Sequence, residues 1–241
     1  MRLFGVCAVV ALSLTVSTAI AVANAADPAA PAAPPPATSN QPTAMNVIFD
    51  RKHMSNVDQG TSLGYHFDRT PSDPKLLGEK FSDEITLKVT GIRSTGEKDV
   101  DLQIYTGERA RELQKIPSVT INPMFIVYFD MSVNTLKQLT GAKYGYLKAT
   151  FSDGFKDKAK IEPVKVDYKG KSINAYRITM APYVGDANAK TMQGYDVSKF
   201  ILVVSDQVPG EVAQLTSVYE SSMKEAPKLE ERITLDGAEV K

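Results

Sequence analysis

Hydrophobic and polar positions alternate along most of this chain. In 84–92, Ile85, Leu87 and Val89 share one side, while Thr86, Lys88 and Thr90 share the other. In 98–105, Val100, Leu102 and Ile104 alternate with Asp99, Asp101 and Gln103. A two-residue period puts successive side chains on opposite faces of a sheet, so these segments are antiparallel strands with one dry face and one wet face. Between them, Arg93-Ser-Thr-Gly-Glu carries the glycine of a short hairpin loop. Leu63, Tyr65 and Phe67 form another strand face, and Val164, Val166 and Tyr168 lead through Lys169-Gly170 into a return strand from Ile173 to Met180. Phe200–Val204 is a continuous apolar run, which predicts a more central strand. Ser205-Asp-Gln-Val-Pro-Gly breaks that run, and Val212–Tyr219 continues as its partner. Ile233 and Leu235 close the series before Asp236-Gly237, giving about eight strands.

One stretch has a different period. Asn122-Pro123, then Met124–Leu139, then Gly141 has the signals of a capped helix: Asn to accept from free N–H groups, Pro in the first turn, Lys137 near the end, Gly past the stop. Phe125, Phe129, Val133 and Leu136 fall on one side, adjoined by Met124, Tyr128 and Met131. A helix this apolar is buried. The β-branched and aromatic content of Met124–Phe129 also admits a strand start. In 144–156, Tyr144, Leu147, Phe151 and Phe155 lie at helical spacing and predict a second helix. The chain is therefore α+β: a strongly curved antiparallel sheet, interrupted in mid-chain by one or two helices laid against its dry face.

The N-terminus changes where this domain is placed. Arg2 precedes an apolar run from Leu3 to Val22, and Ala23-Asn24-Ala25 has the small-x-small form that signal peptidase cuts. Residues 1–25 are read as a secretory signal peptide, with an uncut N-terminal anchor as the alternative. Cleavage removes Arg2 and the only cysteine, Cys7, leaving 27 basic and 28 acidic residues and no disulfide. Residues 26–44 are rich in Pro and Ala and predict an extended linker with a reach of roughly 50 Å. Residues 45–241 are ample for one folded domain. Near-neutral, interspersed charge argues against a nucleic-acid partner, and the lack of a basic cluster argues against an anionic membrane surface. No stable membrane insertion is expected after cleavage, and no cofactor or metal is called for.

Candidate chemistry is sparse. Ser221-Ser-Met-Lys224 matches a Ser-x-x-Lys pattern, but its companion Ser-Asp-Asn and Lys-Thr-Gly elements are missing from the sequence. His53 and His66 are the only histidines; with Asp50, Asp58 or Asp68 they are the only basis for a metal site or a hydrolase. Alternation places His66 on the wet face with Asp68, opposite Tyr65 and Phe67. Aromatic residues are concentrated in the strands and helices. Packing accounts for many of them; the sharper reading is an apolar cleft between sheet and helices, lined by Phe125, Tyr128, Phe129, Met131, Phe151 and Phe155.

Taken together, 61–69, 83–106, 122–141, 161–182 and 200–233 resemble the LolA/LolB-like lipoprotein-carrier superfamily in pattern. That resemblance implies a half-barrel of antiparallel strands closing over helices, with acyl chains held inside. Asp167-Tyr-Lys-Gly-Lys and Ser205-Asp-Gln-Val-Pro-Gly also resemble segments of exported Gram-negative proteins, which implies a periplasmic location. The expectation is a non-enzymatic periplasmic binding or carrier protein for a lipid, acylated ligand or lipoprotein. An envelope scaffold module tethered by the linker is the second reading, and a hydrolase using His53 or His66 the third.

Overall fold

A computed structural model describes residues 41–240, and in it the alternating segments pair into a ten-stranded sheet. The strands are β1 (Ser62–Pro71), β2 (Phe81–Ile92), β3 (Lys98–Ile104), β4 (Gln114–Val119), β5 (Lys160–Tyr168), β6 (Lys171–Met180), β7 (Lys199–Val204), β8 (Val212–Tyr219), β9 (Leu229–Leu235) and β10 (Ala238–Glu239). Their order is β10-β5-β6-β7-β8-β9-β1-β2-β3-β4, and every pairing is antiparallel. A short helix α1 (Pro74–Leu77) follows β1. The two long helices, α2 (Met124–Thr140) and α3 (Tyr144–Asp157), lie in the connection from edge strand β4 to the far side of the sheet. The signal segment and most of the linker, residues 1–40, lie outside the described residues.

The two-residue period produced the dry face it predicts. Leu63, Tyr65 and Phe67 of β1, Ile85, Leu87 and Val89 of β2, and Val100, Leu102 and Ile104 of β3 are all buried, while their alternating neighbours reach solvent or half-burial. Lys169 and Gly170 both take positive φ, 48° and 76°, in the two-residue turn between β5 and β6.

The curl of the sheet follows from connectivity. β5 and β9 are separated by β6, β7 and β8, and a flat sheet would hold them about 19 Å apart at 4.8 Å per strand. Yet β10 starts three residues after β9 ends, within at most about 11 Å of chain, and Ala238 pairs with Tyr168 of β5. Lys169 N–H also donates to Gly237 C=O at 2.7 Å. Only a strongly curved sheet satisfies both, and β4 and β10 remain as separate edges, so the barrel is open.

α2 begins as its sequence predicts, but Asn122 does more than cap it. The Asn122 Oδ1 accepts from Met124 N–H at 2.9 Å, and its Nδ2 donates to Tyr65 Oη at 3.0 Å and to Gly210 C=O at 2.8 Å. One buried amide thus ties the helix to β1 and to the turn before β8. Gly141 ends α2 in the left-handed region (φ 70°), its N–H bonded to Lys137 C=O.

Three features depart from the sequence reading. β4 and β10 bring the strands to ten, because β4 (Gln-Lys-Ile-Pro-Ser-Val) has no alternation of its own and forms on β3. Ala44, read as the end of the linker, is buried. Residues 43–57 form a strap that inserts Val47, Ile48, His53, Met54 and Val57 into the core.

Candidate functional site

α2 and α3 run side by side with an aromatic seam between them. Phe129 lies 5.5 Å from Phe151 and 5.0 Å from Phe155, ring centre to ring centre, and Phe151 stacks edge-on to Phe200 of β7 at 4.7 Å. Phe49 of the strap meets Phe155 edge-on at 5.7 Å and Phe129 at 6.4 Å, closing one end of the seam. Helical spacing explains the clustering: Phe125 and Phe129, and Phe151 and Phe155, sit one turn apart on facing sides.

Above this floor is a groove of about 330 Å³, walled by Ile126, Phe129, Val133, Tyr144 and Phe151, with Asp130, Lys148 and Ser152 at its polar edge. Ile126 is 68% exposed, an apolar side chain left at the groove lip. Tyr144 Oη donates to Asp130 Oδ1 at 3.0 Å, bridging the two helices and raising the phenol pKa through that bond first, then through burial. Lys148 is not paired with a carboxylate among the described ion pairs. An apolar floor with a few polar groups on the rim is the usual make-up of a small-ligand site, and the volume lies at the lower end of the common range of about 300–1,000 Å³.

The six residues expected to line one cleft are divided by the structure. Phe129 and Phe151 line the groove. Phe125 is buried against His53 (4.9 Å), and Phe155 is buried between Phe49 and Phe129. Tyr128 is buried toward the sheet and donates to Thr216 C=O at 2.7 Å. Met131 faces the opposite flank of α2, in a separate pocket with Arg69 and Glu231. The space between sheet and helices at these positions is packed, and the concavity sits between the helices.

A polar column, missed from the sequence, joins α2 to the sheet. Tyr128 reaches Thr216; Ser132 Oγ lies 2.8 Å from Ser217 Oγ; Thr135 Oγ1 donates to Glu231 Oε2 at 3.1 Å. The signal was present as polar residues at i, i+4 and i+7 in an apolar helix, but nothing local names their partners.

The histidines do not make a catalytic arrangement. His66 lies on the wet face between Glu84 (2.9 Å) and Asp68 (3.3 Å). Ser82 Oγ donates to Asp68, an order that does not activate a hydroxyl through the imidazole. His53 is buried, with Nε2 2.7 Å from Val47 C=O. Ser221 donates to Gln193 C=O at 2.9 Å, a loop contact. Among the described residues no group of three or more His, Cys, Asp or Glu side chains is placed to hold a metal ion, and no helix is long and apolar enough to cross a membrane.

No protein-family model and no curated protein sequence matches the chain. Among solved structures it is similar to the LolA superfamily protein NE2245 from Nitrosomonas europaea. That likeness has 9% identity over 83% of this chain and 94% of the other, and a TM-score of 0.21.

Proposed function

We propose that this is a non-enzymatic binding protein of the bacterial periplasm that seats a single acyl chain in the groove between α2 and α3. The observation that carries the reading is the groove itself: aromatic rings for a floor, an exposed Ile126 at the lip and charged groups only on the rim. Lys148 suits the carboxylate or phosphate at the head of such a ligand, and Asp130 is already engaged by Tyr144. Export rests on the sequence of residues 1–25.

The physical consequence is a chain-length dependence. Each methylene taken out of water contributes about 0.8 kcal/mol, so shortening a fatty acid by two carbons weakens binding roughly tenfold until the groove is no longer filled. Displacement of a fluorescent fatty acid by C8 to C16 competitors measures this directly. Ile126→Glu places a charge at the lip without touching the buried core, and is expected to weaken dodecanoate binding at least tenfold with the melting temperature unchanged. Affinity independent of chain length, or equal binding by I126E, would overturn the proposal.

A further inference from the structure

A second concavity lies on the other flank of α2 and shares only Asp130 with the acyl groove. It has a volume of about 210 Å³, and its lining includes Arg69, Phe81, Tyr105, Arg111, Asp130 and Glu231. Two arginines lie over its aromatic walls: the Arg111 guanidinium carbon stands 5.4 Å from the centre of the Tyr105 ring, and that of Arg109 stands 4.7 Å from the centre of Phe81.

Among the lining residues Arg111 has no carboxylate partner in the described ion pairs, and Asp130, the other charged group without an ion-pair partner, takes its hydrogen bonds from neutral donors. Glu231 is buried and fully engaged: Arg69 forms an ion pair with one oxygen, while Thr135 Oγ1 (3.1 Å) and Tyr219 Oη (3.0 Å) donate to the other. Arg69 also donates to Leu77 C=O at 3.3 Å. On the facing wall, Asp130 accepts from Tyr144 and from Asn134. Arg111 is in none of the ion pairs among the described residues. A guanidinium over a ring face keeps N–H donors free for a paired hydrogen bond to a planar anion.

The loop carrying these groups is held in place. Gln103 Nε2 donates to Arg111 C=O at 2.8 Å and to Tyr105 C=O at 3.2 Å, and Arg111 N–H returns to Ile104 C=O at 2.9 Å. Tyr105 has φ of 64°, a left-handed conformation costing an aromatic residue roughly 1–2 kcal/mol, and its N–H is anchored on Glu84 C=O at 2.9 Å. Such conformations persist where the surroundings over-determine them, and concentrate at binding sites. Rigid support behind a cation without a carboxylate partner is what a preorganised site requires.

We infer that this pocket binds a small organic carboxylate with a flat or apolar body, its carboxylate paired to Arg111 and its body lying against Tyr105 and Phe81. The volume equals that of about seven liquid waters at 30 Å³ each, which suits a small acid and not a lipid.

NMR titration of the whole folded chain with benzoate, succinate and inorganic phosphate tests this. The expected result is saturable benzoate shifts confined to residues 103–111 and 134–138, weaker ones with succinate, and a loss of at least tenfold in benzoate affinity in Arg111→Gln. Arg111 is exposed, so the variant retains the fold. Ile126→Glu, which disables the acyl groove, is expected to leave benzoate binding intact, so failure of either site is seen independently. Scattered or unsaturable shifts, equal binding by R111Q, or phosphate binding as tight as benzoate would overturn the assignment.

Discussion

The two histidines carry opposite linkages between protonation and stability. His53 is enclosed by Val47 and Phe125 with its Nδ1 unpartnered, and burial lowers its pKa below the ordinary 6.5, with the Arg51 charge adding to the effect. Above pH 6.5 both folded and unfolded states hold it neutral. As pH falls below 6.5 the unfolded chain takes up the proton first, so stability is lost on acidification. His66 is the reverse: its hydrogen bond to Glu84 raises the pKa, so its contribution is present below 6.5 and lost as pH rises through the raised value. Urea unfolding at pH 5 and pH 8 should therefore show that His53→Leu gains stability relative to wild type on going to pH 5. His66→Gln should lose stability relative to wild type over the same step. The wet position of His66 was legible from alternation alone. The burial of His53 was not, because the strap residues 43–57 show no period and are buried only by what they pack against.

Two glycines of α3 give opposite predictions. A Cβ on Gly145, exposed in the first turn, meets nothing within 4 Å, so Gly145→Ala improves the helix by about 0.5–1 kcal/mol. A Cβ on Gly154 falls 2.6 Å from Pro182 Cβ and 3.3 Å from Met180 Sδ, since there the helix lies directly on the end of β6. Gly154→Ala forces that contact apart at a cost of about 1–3 kcal/mol, more than its helical propensity returns. Thermal melts of the two variants test the pair, and a stabilised G154A would contradict the packing described. The extent of both helices was legible from the 3.6-residue period and the Asn122 and Gly141 signals. Their polar attachment through Ser132 and Thr135 was not, because Ser217 and Glu231 lie about 90 residues further along the chain.

An open, curved sheet has two edges to protect, and each holds a proline. Pro117 lies in β4 beside Ser118, whose positive φ (57°) distorts the strand. Pro163 lies in β5 where β10 does not reach, and Gln41 covers the neighbouring Ile161 C=O at 3.0 Å. A proline offers no N–H to an incoming strand. Pro163→Val restores that donor on an exposed edge, and sedimentation velocity should show concentration-dependent self-association beyond that of wild type. The sequence by itself determined the strand and helix periods, the turns at Lys169-Gly170 and Ser205–Gly210, and which face of β1, β2 and β3 is dry. These depend on neighbours a few residues apart. Tertiary structure alone decided that β9 pairs with β1, that the aromatic residues divide between core and groove, and that Arg111 faces Glu231 across a pocket. Those arrangements depend on which distant segments meet when the sheet curls, and the energy of burying or pairing a side chain is set by that meeting and not by its place in the chain.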